Sequence, residues 1–371
     1  GGPGTGKTQT ISMIVDILSN NFDLDIQLCA PTGKASRKMS EVMHMKAETI
    51  HKKLNYFPGS IQNEKDLNNI TCDYLIIDES SMIDIDLFYK LLIHISDKTS
   101  LLLVGDYNQI PSVGPGLILR DLIESKKIPC VELTKNFRQK GTSGIIVASH
   151  YILNGNVDNI IKKKNFKDFK LIAEKTDEDT YDKIMSLVRN AVARKKITVY
   201  NLQILTPLND GMLGTMGLNK GIQDIINPPD KTKNEIFVSS VKIFRENDKV
   251  IQTRNNYDIG YIENINTSRH ELIVNFDGNS VKYKAAEMNE LNLAYAITIH
   301  KSQGSEFDYI IMPLSLNHSV VNNKNLVYTA ITRAKKQAIL IGSEEELIYA
   351  SGKTADYSRR SNIKDKLIKI L

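Results

Sequence analysis

From residue 1 to about 140, short apolar runs ending in polar or acidic residues alternate with stretches of helical spacing. That is the pattern of a parallel sheet with crossover helices. Leu28-Cys29-Ala30, Tyr74 to Ile77 and Leu101 to Val104 are its clearest strands. Ile11, Ile14, Val15 and Leu18 fall at i, i+3, i+4 and i+7 and put one apolar stripe on a helix that begins right after the opening residues. Polar residues from Leu54 to Ile70, with Pro58-Gly59-Ser60 as a turn signal, predict a small hairpin (54–70) leaving this first domain (1–140). A second alternating block covers 141–235 and resumes at 290–371, with strands at Gln203 to Leu205, Tyr309 to Leu314 and Ala338 to Ile341. Between its halves (236–289), Val241 to Phe244, Lys249 to Thr253, Tyr261 to Ile265 and Glu271 to Phe276 read as short strands joined by Asn/Asp/Gly turns. The chain is thus an α/β protein with two parallel-sheet domains, the second carrying a small all-β insertion, and has no internal sequence repeat of fixed period.

Composition adds limits. At 371 residues the chain exceeds one core at ~100 to 200 residues per domain. The 41% hydrophobic and 25% charged residues are those of a globular protein. The longest apolar runs are strand-sized, too short for a membrane helix, and no secretory signal opens the chain, so a cytoplasmic location without membrane association is expected. Cys29, Cys72 and Cys130 each lie beside or within apolar residues and read as buried reduced thiols. A net charge of +5 permits nucleic-acid binding without requiring it, and Lys162-Lys163-Lys164 and Arg194-Lys195-Lys196 read as solvated faces.

The opening residues, Gly1-Gly2-Pro3-Gly4-Thr5-Gly6-Lys7-Thr8, match the phosphate-binding loop. Gly2, Gly4, Thr5 and Gly6 would turn backbone N–H groups around phosphates, Lys7 adds a point charge, and Thr8 offers a hydroxyl to magnesium. Leu75-Ile76-Ile77 runs into Asp78-Glu79, two carboxylates at the carboxyl edge of the sheet, where α/β proteins bind ligands. Beside such a loop, Asp78 is expected to hold magnesium through water and Glu79 to polarise the attacking water. After the next strand, Gln109 could sense the terminal phosphate. A motor also needs positive charge from a neighbouring domain; Arg138 and Arg333 are the candidates, although by position alone either reads as a surface arginine or an ion-pair partner.

Taken in order, the motifs resemble superfamily one helicases, and among them the RecD-like branch. The resemblance spans nearly the whole chain. Besides the opening loop it rests on Ala30-Pro31-Thr32-Gly33-Lys34-Ala35, Thr49-Ile50-His51, Ile77-Asp78-Glu79-Ser80-Ser81-Met82 and Gly105-Asp106 through Gln109 to Gly116. Further on come Asn136-Phe137-Arg138-Gln139, Thr206-Pro207, Leu218-Asn219 with Gln223 and Asn227-Pro228, Thr298 through Phe307, and Tyr328 through Lys335.

The likeness implies two RecA-like motor domains with an SH3-like insertion in the second, and a strand-separating pin at 54–70. It implies an ATP- and Mg2+-dependent DNA helicase moving 5′ to 3′ on single-stranded DNA and acting at duplex junctions, with a monomer expected and protein partners unspecified. Lys7, Thr8, Asp78, Glu79, Gln109, Arg138 and Arg333 would form the ATP site, Arg333 acting across the cleft between domains and Glu306 touching ribose or phosphates. Thr32, Lys34, Thr49, His51, Ser112, Thr298, His300 and Gln303 match motifs lining the single-strand channel. Hydroxyls, an amide and imidazoles can bind phosphates without reading bases, as a sequence-tolerant motor requires.

Relatives carry a strand before the nucleotide loop and, upstream, a glutamine-bearing segment that grips adenine. Neither precedes Gly1, so the chain is read as a fragment. Asn255-Asn256-Tyr257-Asp258 runs straight into Ile259-Gly260, where relatives have a longer turn, so the insertion reads as trimmed or incompletely represented. No separate carboxylate and lysine cluster suits a nuclease, and no nuclease activity is expected. Two further readings stay open: a translocase that does not unwind, and a catalytically silent DNA-binding module.

Overall fold

The structure is a computed structural model, describing residues 1–59, 62–135, 143–193, 201–239, 242–254, 257–354 and 361–370. It comprises two units, residues 1–142 with 354–371, and residues 143–353.

In unit 1, helix α1 (Lys7–Asn21) leads to strand β1 (Ile26–Ala30), α2 (Gly33–Met43), β2 (Ala47–Thr49), α3 (Ile50–Leu54), β3 (Tyr74–Ile77), α4 (Ile85–His94), β4 (Ser100–Leu103) and α5 (Ile118–Ser125). The strands form a parallel sheet in the order β2-β1-β3-β4. Leu75, Ile76 and Ile77 are fully buried because helices cover both faces of β3, each worth ~1.5–3 kcal/mol of transfer free energy. Ile11 and Val15 of the predicted stripe are buried, with Leu18 packed on the same cluster.

Residues 54–70 depart from expectation. Their described part has no paired strands; it holds a single 3-10 turn, Glu64–Asp66. Side chains supply the bonds a hairpin ladder would have made: Gln62 Nε2 donates to Asn55 O at 3.0 Å, Phe57 N to Gln62 Oε1 at 2.7 Å, and Asn63 N to Asp66 Oδ2 at 3.0 Å. Cys29 and Cys72 are buried as expected, but Cys130 is exposed, in a coil after α5 where flanking apolar residues find no core.

Unit 2 opens with α6 (Gly144–Leu153) and α7 (Asp158–Lys163). Asp168 fixes the start of α6, accepting from Ser143 Oγ at 2.7 Å and from the Gly144 N–H at 2.5 Å. There follow β5 (Phe169–Ala173), α8 (Asp177–Ala193), β6 (Leu202–Thr206) and α9 (Thr215–Ile226). A hairpin of β7 (Glu235–Ser239) and β8 (Lys242–Arg245) precedes β9 (Lys249–Gln252), β10 (Ile259–Asn266), β11 (Glu271–Phe276), β12 (Asn279–Lys284) and β13 (Leu291–Leu293), an antiparallel sheet ordered β12-β11-β10-β9-β13. The chain then returns through β14 (Ala296–Thr298), β15 (Phe307–Leu314), α10 (Lys324–Thr332), β16 (Ala334–Gly342) and α11 (Glu344–Gly352). The parallel sheet of this unit is ordered β14-β6-β15-β16-β5.

A buried polar knot holds the insertion on its parent sheet. Asp248, wholly buried, accepts from Gln223 Nε2 at 2.6 Å, Asn227 Nδ2 at 2.7 Å, Arg245 N at 2.7 Å and Tyr295 OH at 2.8 Å. Gln203 Nε2 donates to the carbonyls of Ala294 and Tyr295, where the chain leaves the insertion. The last helix, Ile363–Ile370, lies in unit 1 and not with the second sheet to which the sequence assigned it. Ile363 packs on the unit 1 core, Lys364 pairs with Glu124 at 2.9 Å, and Ser361 bonds Asp121.

Candidate nucleotide and nucleic-acid site

The opening loop is a tight turn, with Gly4 at φ +74° and Gly6 at φ +83°, left-handed conformations that favour glycine. Gly6 sits at the amino end of α1, so the loop delivers its N–H groups to a helix positive end. Thr5 Oγ1 donates to Gly2 O at 2.7 Å and Lys7 Nζ to Gly1 O and Gly2 O at 2.8 and 3.1 Å, which folds the ammonium over the cradle. Thr8 follows in the first turn of α1. The loop lies beside the exit of β4, where the Gly1 amine donates to Gly105 O at 3.2 Å.

At the same sheet edge, Asp78 leaves β3 and accepts from the Glu79 N–H at 2.8 Å. Glu79 is in the left-handed region at φ +52°, an uncommon state for a residue with a Cβ. The turn is pinned by Ser80 N donating to Val104 O at 2.8 Å and Ser80 Oγ donating to Ile77 O at 2.9 Å. Burial, reinforced by the neighbouring Glu79 charge, pushes the Asp78 carboxyl up to about 6, while Lys7 and Lys38 pull it down. Lys7 and Asp78 therefore share one electrostatic environment. Gly105 allows close approach of this turn to the β4 exit: a Cβ there would lie 3.1 Å from Ser81 N and 2.7 Å from Leu119 Cδ2.

Gln109 is buried beside Asp106, with Nε2 at 3.5 Å from Asp106 Oδ2 and its N–H donating to Asp106 O at 3.2 Å. Asp106 also accepts from the Asn108 N–H at 3.0 Å. Sequence reasoning recorded Asp106 within a motif without a role. Its signal was an acid directly after a Gly at the end of a strand.

Thr32 and Thr49 cap α2 and α3, accepting from the N–H groups of Ala35 at 3.3 Å and Lys52 at 3.1 Å; Lys34 lies in the first turn of α2. Their hydroxyls order helix starts at the sheet edge. His51 stacks on Tyr56 with centroids 5.6 Å apart, and burial holds its imidazole below the ordinary value against the opposing charge of Asp84. Asp84 caps α4 through the Leu87 N–H at 2.8 Å and touches the Ser112 loop: a Cβ on Gly114 would lie 2.1 Å from Asp84 Oδ2. Ser112 Oγ donates to Gly114 O at 3.1 Å. Asp84 thus brings its charge to His51 and packs against Gly114, in the loop that carries Ser112.

In unit 2, Thr298 ends β14 in register with Thr206, whose hydroxyl donates to Leu213 O at 2.6 Å. His300 is exposed at the start of a 3-10 turn, and Gln303 is buried at its end. Arg333 caps α10 and is 5% exposed, its Nη1 donating to Ser305 O at 3.3 Å. Glu306 faces Lys335 at 3.7 Å. The fold therefore gathers Gly2 to Thr8, Asp78, Glu79 and Gln109 in unit 1, and Thr298, His300, Gln303, Glu306 and Arg333 in unit 2. Arg138 lies outside the described residues, with the rest of Asn136-Phe137-Arg138-Gln139, as do Arg194-Lys195-Lys196 and Asn255-Asn256.

Three family models match: an AAA domain at residues 1–115, an ATP-dependent RecD-like DNA helicase SH3 domain at 218–276, and a UvrD-like helicase C-terminal domain at 293–341. The chain is 34% identical over 350 residues to the ATP-dependent RecD2 DNA helicase of Deinococcus radiodurans, which covers 92% of this chain and 46% of that protein. It is 29% identical over 413 residues to the RecBCD enzyme subunit RecD of Buchnera aphidicola subsp. Acyrthosiphon pisum, covering 91% and 68%. The chain thus spans about half the length of the first of these relatives. Its fold is similar to Bacteroides Pif1 bound to single-stranded DNA, with a TM-score of 0.56 at 17% identity over 96% of this chain and 90% of that one. Among the described residues no helix is long and apolar enough to cross a membrane.

Proposed function

Since the chain belongs to the RecD-like DNA helicases, we propose that it is the motor core of an ATP-driven helicase that moves 5′ to 3′ on single-stranded DNA. The observation that carries this reading is the convergence of Lys7, Asp78, Glu79 and Gln109 on one carboxyl edge of a parallel sheet, around a loop whose glycines are left-handed.

The loop N–H groups and Lys7 would take the phosphates. Hard oxygen donors suit magnesium, and Thr8 and Asp78 would supply a hydroxyl and a carboxylate. Magnesium when bound would offset phosphate charge. Glu79, held by its strained turn, would accept the proton of the attacking water as the bond to the terminal phosphoryl group forms and the bond to the nucleoside diphosphate breaks; Gln109 would orient that water. Arg333 and Arg138 would stabilise charge on the transferred group. Thr32, Lys34, Thr49, His51 and Ser112 of unit 1, with Thr298, His300 and Gln303 of unit 2, would bind the sugar–phosphate backbone, a sequence-tolerant contact set.

The test is phosphate release with and without single-stranded DNA, in the parent and in Glu79→Gln. Stimulation by DNA that the substitution abolishes supports the motor; DNA binding without phosphate release in either would leave a silent binding module. The compact 3-10 turn within 54–70 favours one second reading, translocation without strand separation by this chain's own pin. Unwinding that survives deletion of 56–66 would show that no pin is needed there.

A further inference from the structure

The amino end of α11 reads Ser343-Glu344-Glu345-Glu346, the spacing of a capping box, in which the last carboxylate would reach back to the N–H of the first residue. Only half of the box forms. Ser343 Oγ accepts from the Glu346 N–H at 3.1 Å, but the Ser343 N–H donates to Leu314 O at 3.0 Å. The Glu346 side chain is spent elsewhere: Asn322 Nδ2 donates to its Oε1 at 2.7 Å, between two residues that are both 0% exposed.

That single bond leaves one oxygen over on each residue. Glu346 Oε2 and Asn322 Oδ1 are both buried and have no hydrogen-bond partner among the described residues. While the carboxyl is ionised both are acceptors, so neither can satisfy the other. A proton on Oε2 removes the conflict, because the acid then donates to Oδ1 while Oε1 keeps the Nδ2 bond, closing a two-bond ring that uses both leftover oxygens.

Burial raises the Glu346 carboxyl above its ordinary 4.5, against the Asn322 bond and the charge of Lys353. The other charged groups around it have their own places. Glu344 faces Lys164 at 2.6 Å, Lys324 Nζ donates to Leu153 O at 3.1 Å, and Glu345 and His150 are exposed. His318, in the turn before Asn322, is buried, and burial holds its imidazole below the ordinary value with Asp177 opposing. The positive end of α11 is already met by Glu344 and Glu345.

The ring would hold the entry to α10. Asn322 precedes Asn323, whose side chain caps α10 through the Leu326 N–H at 3.0 Å, and the next residue, Lys324, donates its N–H to Lys353 O at 2.9 Å at the far end of α11. Helix α10 is buried from Asn325 to Thr332, and Arg333 is its carboxyl cap. A close-packed helix transmits a displacement of one end to the other.

We propose that Glu346 is a positioning residue for Arg333, acting as the neutral acid of a ring with Asn322 that fixes the entry of α10. The proposal rests on the motor reading only for the role it gives to Arg333.

Three forms of the intact chain test it: the parent, Glu346→Gln, whose amide can make the same two bonds without a titrating proton, and Glu346→Ala. Infrared difference spectra of the parent against Glu346→Gln should show a protonated-carboxyl band above the ordinary carboxylate pH range, fading as pH rises further. In DNA-stimulated phosphate release, Glu346→Ala should lower kcat at least five-fold with KM for ATP within two-fold of the parent, the split expected when a group acts only on the reacting state. Glu346→Gln should restore the parent kcat. A raised carboxyl contributes fully at low pH and loses its contribution as pH rises through the folded value, so the ratio of the Glu346→Gln kcat to the parent kcat should climb as the band fades.

Absence of the band, or a Glu346→Gln variant as slow as Glu346→Ala, overturns the proposal; the band and the Glu346→Gln profile decide the matter even if Glu346→Ala does not fold. An unchanged kcat in Glu346→Ala overturns the positioning role while the ring stands. If the band is present but no form responds to DNA, the motor reading fails and takes the role of Arg333 with it; if DNA stimulates phosphate release but the band is absent, only the ring fails.

Discussion

Replacing Asp248 by alanine tests whether the buried knot is what holds the insertion. Two of its four donors keep another acceptor: Gln223 Nε2 also reaches Ile243 O at 3.0 Å, and Asn227 Nδ2 reaches Glu246 O at 2.9 Å. The Arg245 N–H and the Tyr295 hydroxyl would be stranded, because each donates to Asp248. Burial pushes the Tyr295 hydroxyl up, so it stays protonated and remains a donor. A stranded buried donor costs ~1–3 kcal/mol, or ~2–6 kcal/mol for two. Burial also raises the Asp248 carboxyl, which shows that its charge is costly there; removing the charge recovers part of the loss. A net local destabilisation of ~2–4 kcal/mol follows.

Hydrogen–deuterium exchange is the suitable assay, because two units need not unfold in one transition. Peptides covering 242–266 should exchange ~30- to 1,000-fold faster in Asp248→Ala, whereas peptides of the unit 1 sheet should be unchanged. Adding Tyr295→Phe removes one stranded donor and should recover ~1 kcal/mol in a double-mutant cycle. Exchange in 242–266 within two-fold of the parent, or a Tyr295→Phe effect that adds in full, would refute the reasoning.

Three further outcomes are expected. The Asp78 carboxyl is pushed from its ordinary 3.8 up to about 6 in the folded chain, so the folded state holds the proton more tightly: the contribution of Asp78 to apo stability should grow as pH falls from about 6 toward 3.8, while Mg2+-dependent nucleotide binding weakens over the same range. Asp78→Asn should flatten both profiles, measured by thermal unfolding and by nucleotide titration. Arg333→Ala should slow DNA-stimulated phosphate release ~10³-fold or more, while nucleotide binding to the Gly1–Thr8 loop persists; a loss below ten-fold would return Arg333 to a structural cap on α10. In the native protein a thiol reagent should modify Cys130 rapidly and spare Cys29, whose buried thiol is pushed up to about 12, and Cys72, also raised by burial; mass mapping of the modified peptides checks the order.

Patterns that repeat within a few residues were legible without coordinates. Alternating apolar runs located the strand that leads into Asp78 and those carrying Gln203 and Tyr309, and loop chemistry with its spacing identified Lys7 and Thr8, because backbone cradling of a phosphate needs glycines at fixed offsets. Short or polar strands were not legible: β2, β13 and β14 span three residues each, too few to show a period, and β12 is exposed along most of its length. The segment 54–70 had turn residues but bonds through its side chains, a choice that depends on which partners lie near. Cys130 shows the same limit, since apolar neighbours in sequence do not guarantee a core in space.

The sequence by itself determined the sheet class, the nucleotide loop and the order of the motifs, all of which rest on local spacing. Only the tertiary structure decided that Asp84 brings its charge to His51, that Asp248 locks the insertion to α9, and that the last helix packs in unit 1. These depend on contacts between residues distant along the chain, and such contacts are set by burial and hydrogen-bond satisfaction in three dimensions.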